Sequence, residues 1–258
     1  MASGGQPVVV AVATEPELRP LRDRLADGRT VTVGGRRCHF GILGGRPVRL
    51  LLTGPGAVNA AQAVTALLER TRPALVVGMG CAGVFRPSGL RPGDVAVARE
   101  EIDVQSGIEA ANGTGAVIEY PFPLLERDGR GYTRRFPCAT PWDATAGEVI
   151  RRALAPEEVM VERGAFIAVA TITATRVRAD MLWAAYQPLM ETMEGAALAQ
   201  VSLHYGVPFL DIRAGSNWVG PRDRDSWQVE LASRRAARGV AAVIAELHRW
   251  PPLAGRGG

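Results

Sequence analysis

Residues 7–25 read PVVVAVATEPELRPLRDRL, and their order decides the fold. The run from Pro7 to Ala13 is apolar without alternation, as expected of a strand covered on both faces. From Glu15 to Leu25 the apolar side chains fall at Leu18, Leu21 and Leu25, a helical spacing. A buried strand feeding straight into a helix is the unit from which a parallel sheet is built.

Outward from this unit, strand and helix patterns alternate along the chain. Residues 31–53 read as antiparallel strands broken at Gly34-Gly35 and Gly44-Gly45, and Gly54-Pro55-Gly56 as a tight loop. Helices are expected at Asn59–Arg70, Thr145–Leu154, Ala179–Tyr186, Glu194–Tyr205 and Ser226–Arg249. Strands are expected at Leu75–Met79, 93–102, Phe166–Ile172 and Pro208–Ala214. Between Ser106 and Pro141 the chain is polar with little periodicity and reads as a long excursion carrying local structure. The expected fold is a single-domain three-layer α/β/α arrangement with a mixed, mostly parallel central sheet. That domain takes residues 1–250 and leaves 251–258 as a flexible tail.

Composition narrows the chemistry. With 47% hydrophobic and 22% charged residues, a chain of 258 residues can bury a substantial core. No apolar run approaches the ~20 residues of a membrane helix, and Met1–Gln6 lacks the basic segment of an export signal. Cys38, Cys81 and Cys138 are too scattered for a disulfide framework, so a cytoplasmic setting is expected. All thirty basic residues are arginine. Without lysine there is no P-loop phosphate contact, no Schiff-base nucleophile and no anchor for pyridoxal phosphate. The arginines are dispersed rather than striped with aromatics, which argues against nucleic acid as a partner.

Three residues carry the chemical reading. Glu194, in the run Glu191–Ala197, is placed to open a helix, where a carboxylate can accept hydrogen bonds from a ribose diol. Asn217 closes an apolar strand where a nucleobase would lie, and Glu17 follows the first strand. Alone, Glu17 reads as an ordinary acid in a first helical turn; the order of all three along the chain points to cleavage of an N-glycosidic bond. Gly78-Met79-Gly80-Cys81-Ala82-Gly83 matches G-x-G-x-x-G, but residues 84–93 cannot continue as the helix a dinucleotide needs. Those glycines instead suggest a loop whose backbone approaches a sugar or base. His39, His204 and His248 have no metal-ligand spacing, so neither a metal nor an organic cofactor is expected.

These segments resemble the nucleoside phosphorylase/nucleosidase superfamily. The resemblance runs through residues 8–21, Thr53–Ala61, the 78–83 segment, Met193-Glu194-Gly195-Ala196 and Arg213–Asn217. It implies Glu17 and Asn217 as catalytic residues. Substrate contacts are implied at Cys81, Ala82, Gly83, Ile172, Thr173, Thr192, Met193 and Glu194, and the assembly implied is a homodimer. Two departures from the adenine-releasing nucleosidases bear on substrate. Cys81 stands where serine is usual, and Asn217 where aspartate is usual. An aspartic acid can protonate purine N7, whereas an asparagine amide can hydrogen-bond N7 and O6 of a 6-oxopurine. Ser216–Arg222, Ser106–Glu109 and Thr171–Thr175 are similar to the futalosine hydrolase branch, which releases hypoxanthine in menaquinone biosynthesis. Expected alternatives are a methylthioadenosine/S-adenosylhomocysteine nucleosidase and a purine nucleoside phosphorylase. Glu17, which would repel phosphate and orient water, favours hydrolysis. Arg176, Arg178 and Arg222 are candidates for a substrate carboxylate.

Overall fold

The computed structural model describes residues 5–111 and 117–251. Its strands are β1 (Val8–Val12), β2 (Ala26–Val33), β3 (Arg36–Leu43), β4 (Arg46–Leu52), β5 (Leu75–Val84), β6 (Val95–Asp103), β7 (Ile108–Glu109) and β8 (Val117–Ile118). They continue with β9 (Leu125–Arg127), β10 (Arg130–Tyr132), β11 (Arg135–Pro137), β12 (Val161–Ala168), β13 (Met190–Thr192) and β14 (Phe209–Trp218). The helices are α1 (Glu15–Arg22), α2 (Ala57–Leu68), α3 (Trp142–Leu154), α4 (Arg176–Tyr186), α5 (Gly195–His204) and α6 (Val229–Glu246).

Ten strands form one mixed sheet, with β4, β1, β5 and β14 running parallel through its middle. Residues of β1 alternate between two cores. Val8, Val10 and Val12 face α1, α3 and α6, while Val9 and Ala11 face α2 and α5. That is why the strand shows no polar alternation: both of its faces are covered by helices. The antiparallel β2, β3 and β4 turn at Gly34-Gly35 and Gly44-Gly45, whose φ values of 56°, 77°, 57° and 76° are those a two-residue hairpin loop needs.

Beyond this side the sheet closes on itself. β5 pairs with β14, β14 with β6, β6 with β12, β12 with β13, and β13 returns to β5. Five strands therefore form a ring at the end of the sheet that carries the conspicuous motifs.

Several expected boundaries move. The 78–83 segment is not a loop but the second half of β5. The strand expected at Pro208–Ala214 runs Phe209–Trp218, so Asn217 is its next-to-last residue. The strand expected at Phe166–Ile172 is Val161–Ala168, so Ile172 and Thr173 sit in the following loop. The excursion at 106–141 contains the hairpins β7/β8 and β9/β10 and the strand β11, which pairs with β6. Apart from Pro251, whose carbonyl accepts from Trp142 Nε1 at 2.8 Å, the tail expected at 251–258 lies outside the described residues. No described helix is long and apolar enough to cross a membrane.

Candidate active site

The carboxyl ends of β1, β5 and β14 open into a cavity of about 280 Å³. In sheets of this kind ligands bind outside the carboxyl ends of parallel strands. Glu17, Cys81, Ala82, Gly83, Ile172, Thr192, Met193, Glu194 and Asn217 all line it. The glutamates of the first helix and of the 191–197 run thus share one cavity. Thr173 lies behind the wall and donates to the Glu191 carboxylate through both its backbone N–H and its hydroxyl.

At one end of the cavity the carboxylates are already wired. Glu17 accepts from the backbone N–H of Cys81 at 2.8 Å and from the Thr14 hydroxyl at 2.6 Å. Glu194 is the N-cap residue of α5, accepts from the backbone N–H of Gly56 at 2.8 Å, and lies 3.6 Å from the Arg213 guanidinium. Because a carboxylate offers about four lone-pair sites, each keeps capacity for a ligand. Burial raises the Glu194 pKa, while Arg213 and the Gly56 N–H pull it down. Glu15, the neighbouring acid, pairs with Arg22 and Arg37 instead.

Arg213 ties this end together. Its guanidinium is buried and clamps Asp211 at 2.6 and 3.2 Å. Burial opposes its charge, but Asp211 and Glu194 outweigh that and raise its pKa above the usual arginine value. Behind it lies Glu101, fully buried, with neither carboxyl oxygen bonded to a donor. Burial first, and the neighbouring Asp211 second, push its pKa well above the ordinary carboxylate value.

The glycines of β5 are explained by these acids. A Cβ on Gly78 would lie 2.7 Å from Asp211 Oδ1, and one on Gly80 would lie 2.5 Å from Glu17 Oε1. The backbone is bare for the protein's own carboxylates to approach, a different reason from the ligand approach expected. Cys81 contributes its backbone to Glu17, whereas its thiol turns to Ser233 and the Val229 carbonyl on α6. Burial and Glu17 push that thiol up to about 12, leaving it neutral and unreactive.

The other end is neutral except for one acid. Asn217 Oδ1 accepts from the Ser216 hydroxyl at 2.8 Å, and Nδ2 donates to the Trp218 carbonyl at 3.0 Å. One amide hydrogen is left for the cavity. Glu191 lines the same end; burial raises its pKa, and the Thr173 bonds partly offset this. Trp227 lines the cavity too, with the Arg222 guanidinium over its ring at 5.0 Å from the centroid. Arg176 borders a separate cavity with Trp183 and Trp218.

Sequence reasoning assigned no role to Glu101, Glu191 or Asp211, and quoted Arg213 only as the start of a motif. Charged residues inside otherwise apolar strands, as in Phe209-Leu210-Asp211-Ile212-Arg213, were the available signal. Among the described residues no cluster of three or more His, Cys, Asp or Glu is arranged to hold a metal ion.

A cavity at the carboxyl ends of parallel strands, lined by buried carboxylates and an amide, has the make-up of a small-molecule enzyme site. The family model described as the phosphorylase superfamily matches residues 7–249, and the chain belongs to that family. A 5′-methylthioadenosine/S-adenosylhomocysteine nucleosidase of Bacillus cereus is 30% identical over 243 residues, covering 93% of this chain and 99% of the relative. The nucleosidase of that name from Colwellia psychrerythraea, solved with adenine, superposes with a TM-score of 0.82 at 23% identity, covering 96% of this chain and 98% of its own. Futalosine hydrolase of Helicobacter pylori superposes at 0.79 and 17% identity, covering 93% and 98%. At such identities the two structures speak to the fold.

Proposed function

We propose that this chain hydrolyses the N-glycosidic bond of a purine nucleoside, and that the base it releases is a 6-oxopurine, as in the conversion of futalosine to hypoxanthine and dehypoxanthine futalosine. One observation carries the hydrolytic reading: Glu17, Glu194 and Asn217 line a single cavity, with Arg213 holding the second carboxylate in place.

The ribose diol sits on Glu194 and Met193 packs beneath the sugar. As the bond stretches, positive charge grows on the ring, and the nearby carboxylates stabilise it in the manner of glycoside hydrolysis. Glu17 holds the attacking water and takes its proton. Asn217 turns its free amide hydrogen to the departing base, spreading the negative charge that develops there. The Glu17 carboxylate would repel phosphate, which supports water as the nucleophile rather than a phosphorolytic route. One domain, residues 1–250, carries the whole site, and the chain works as a homodimer without a cofactor.

A second reading has its own support. Curated relatives at 30–31% identity over almost the whole chain are named 5′-methylthioadenosine/S-adenosylhomocysteine nucleosidases, and on names that reading is the better supported. Asn217 is the observation against it, because an amide has no acidic proton to deliver to adenine N7.

Liquid chromatography of futalosine, inosine and methylthioadenosine, each incubated with and without phosphate, separates the readings. Hypoxanthine from futalosine without phosphate is the expected result. Adenine from methylthioadenosine alone would transfer the assignment to the second reading, and three intact nucleosides would end both.

A further inference from the structure

Gly83 is the register partner of two residues at once, Asn217 on β14 and Glu191 on β13. Side chains in register on adjacent strands leave the sheet on the same face. Glu191 and Asn217 therefore rise from either side of a strand position that has no side chain. A Cβ on Gly83 would lie 2.8 Å from Val219 Cγ2, 3.6 Å from Asn217 Nδ2 and 3.8 Å from Glu191 Cβ, so the amide and the acid stand to either side of the Val219 methyl. An amide and a carboxylate thus flank the base end of the cavity, and both line it.

The carboxylate is not spent on the protein alone. Thr173 gives one donor to each Glu191 oxygen, so each oxygen keeps a lone pair. The same bonds fix its orientation: a buried acid held by a backbone N–H and a hydroxyl cannot swing out to solvent. Among purines, the 6-oxo bases carry hydrogen on N1 beside a carbonyl at position 6, whereas in adenine N1 is a bare acceptor beside an amino group. An amide donor next to a carboxylate acceptor matches the first pattern, and facing adenine the carboxylate meets a lone pair.

From this register we infer that Glu191 is the specificity residue of the base subsite, accepting a hydrogen bond from N1–H of a 6-oxopurine while the one free amide hydrogen of Asn217 goes to O6. The inference rests on the purine-nucleosidase reading and adds to it a residue that selects the base.

The experiment compares binding of hypoxanthine, 1-methylhypoxanthine and adenine to the full chain and to Glu191→Ala by calorimetry, together with hydrolysis of inosine and 1-methylinosine. A hydrogen bond to a charged group is worth about 1.5–3 kcal/mol, or about ten- to a hundredfold. The parent chain is expected to lose that factor on N1-methylation. Glu191→Ala should lose it already with hypoxanthine and lose little more with the methylated base, because the group that read N1 is gone and the methyl has room. A purely structural role for Glu191 would weaken all three bases alike and leave the methylation factor intact, which overturns the inference. Glu191→Gln keeps the shape and one acceptor; it should fold where the alanine variant fails, with a methylation factor between the two. A parent chain that binds hypoxanthine and 1-methylhypoxanthine equally refutes this subsite and leaves the nucleosidase reading standing. A chain that binds no purine sinks both.

Discussion

The two ends of the cavity are built on opposite plans. The end proposed for the sugar concentrates charge: Glu17, Glu194, Asp211 and Arg213 are all buried, with Glu101 buried behind them. The end proposed for the base is an amide, a single threonine-held carboxylate and the Gly83 backbone, with Val219 packed where a side chain would stand. Charge held in place stabilises a transition state without reorganising. Hydrogen-bonding groups held in a fixed orientation discriminate between substrates because a mismatch leaves one of them unpaired. Under the proposed function the difference is a division of labour, in which one wall makes the reaction possible and the other decides which nucleoside undergoes it.

Substitutions can break this contrast or sharpen it. Glu17→Gln removes the group that takes the proton from water, and turnover should fall by about 10²- to 10⁴-fold with substrate affinity largely kept. Steady-state kinetics that find near-normal turnover would remove Glu17 from the mechanism. Arg213→Met strips the charge from the centre of the sugar end and leaves Asp211 and Glu194 buried without their partner. Unfolding in urea should show a loss of about 3–5 kcal/mol, and a variant as stable as the parent would mean that the cluster is not held by this cation.

At the base end the expected changes are of ratio rather than rate. Asn217→Asp restores an acidic group, and the preference for hypoxanthine over adenine nucleosides should drop by about tenfold, the scale of one hydrogen bond. A constant ratio across the two enzymes would detach Asn217 from base selection.

The effect of Glu101→Gln is one of pH dependence. Burial raises the Glu101 pKa, so the folded state keeps its proton where the unfolded chain has released it. Its stabilising contribution is complete below the ordinary carboxylate range and is lost as pH rises toward the folded value. The parent should therefore lose stability relative to the glutamine variant above about pH 4, by at most about 1.4 kcal/mol per pH unit. Parallel stability curves for the two proteins would show that Glu101 is ionised in the fold.

What the sequence made legible follows from where its signals are local. Val8–Val12 and the glycine-pair hairpins were readable because burial on two faces and φ > 0 each leave a compositional trace. The three residues that define the cavity were found through the resemblance and their order, not through spacing. Met190–Thr192 was missed because three residues give no periodicity, and that strand exists only through its pairing with β12 and β5. Gly78–Gly83 was read as a loop because glycine usually weakens strands; its extended form is held by β14 and β1, and Gly78 and Gly80 are required by incoming carboxylates. Glu101 left only the trace of a charge in a strand with an apolar start, and such an acid reads as a solvent-facing residue until the partner helix α5 is placed over it.

The strand ring described above has a consequence for motion. β14 is bonded on both sides and β5 closes the circuit, so neither wall of the cavity can peel away without opening the other. Backbone amides at Arg213 and at Gly83 should then exchange with deuterated solvent together, and only as fast as the whole molecule opens. Breathing of the cavity, where it occurs, falls to the segments outside the circuit, at Ile172 and at Trp227.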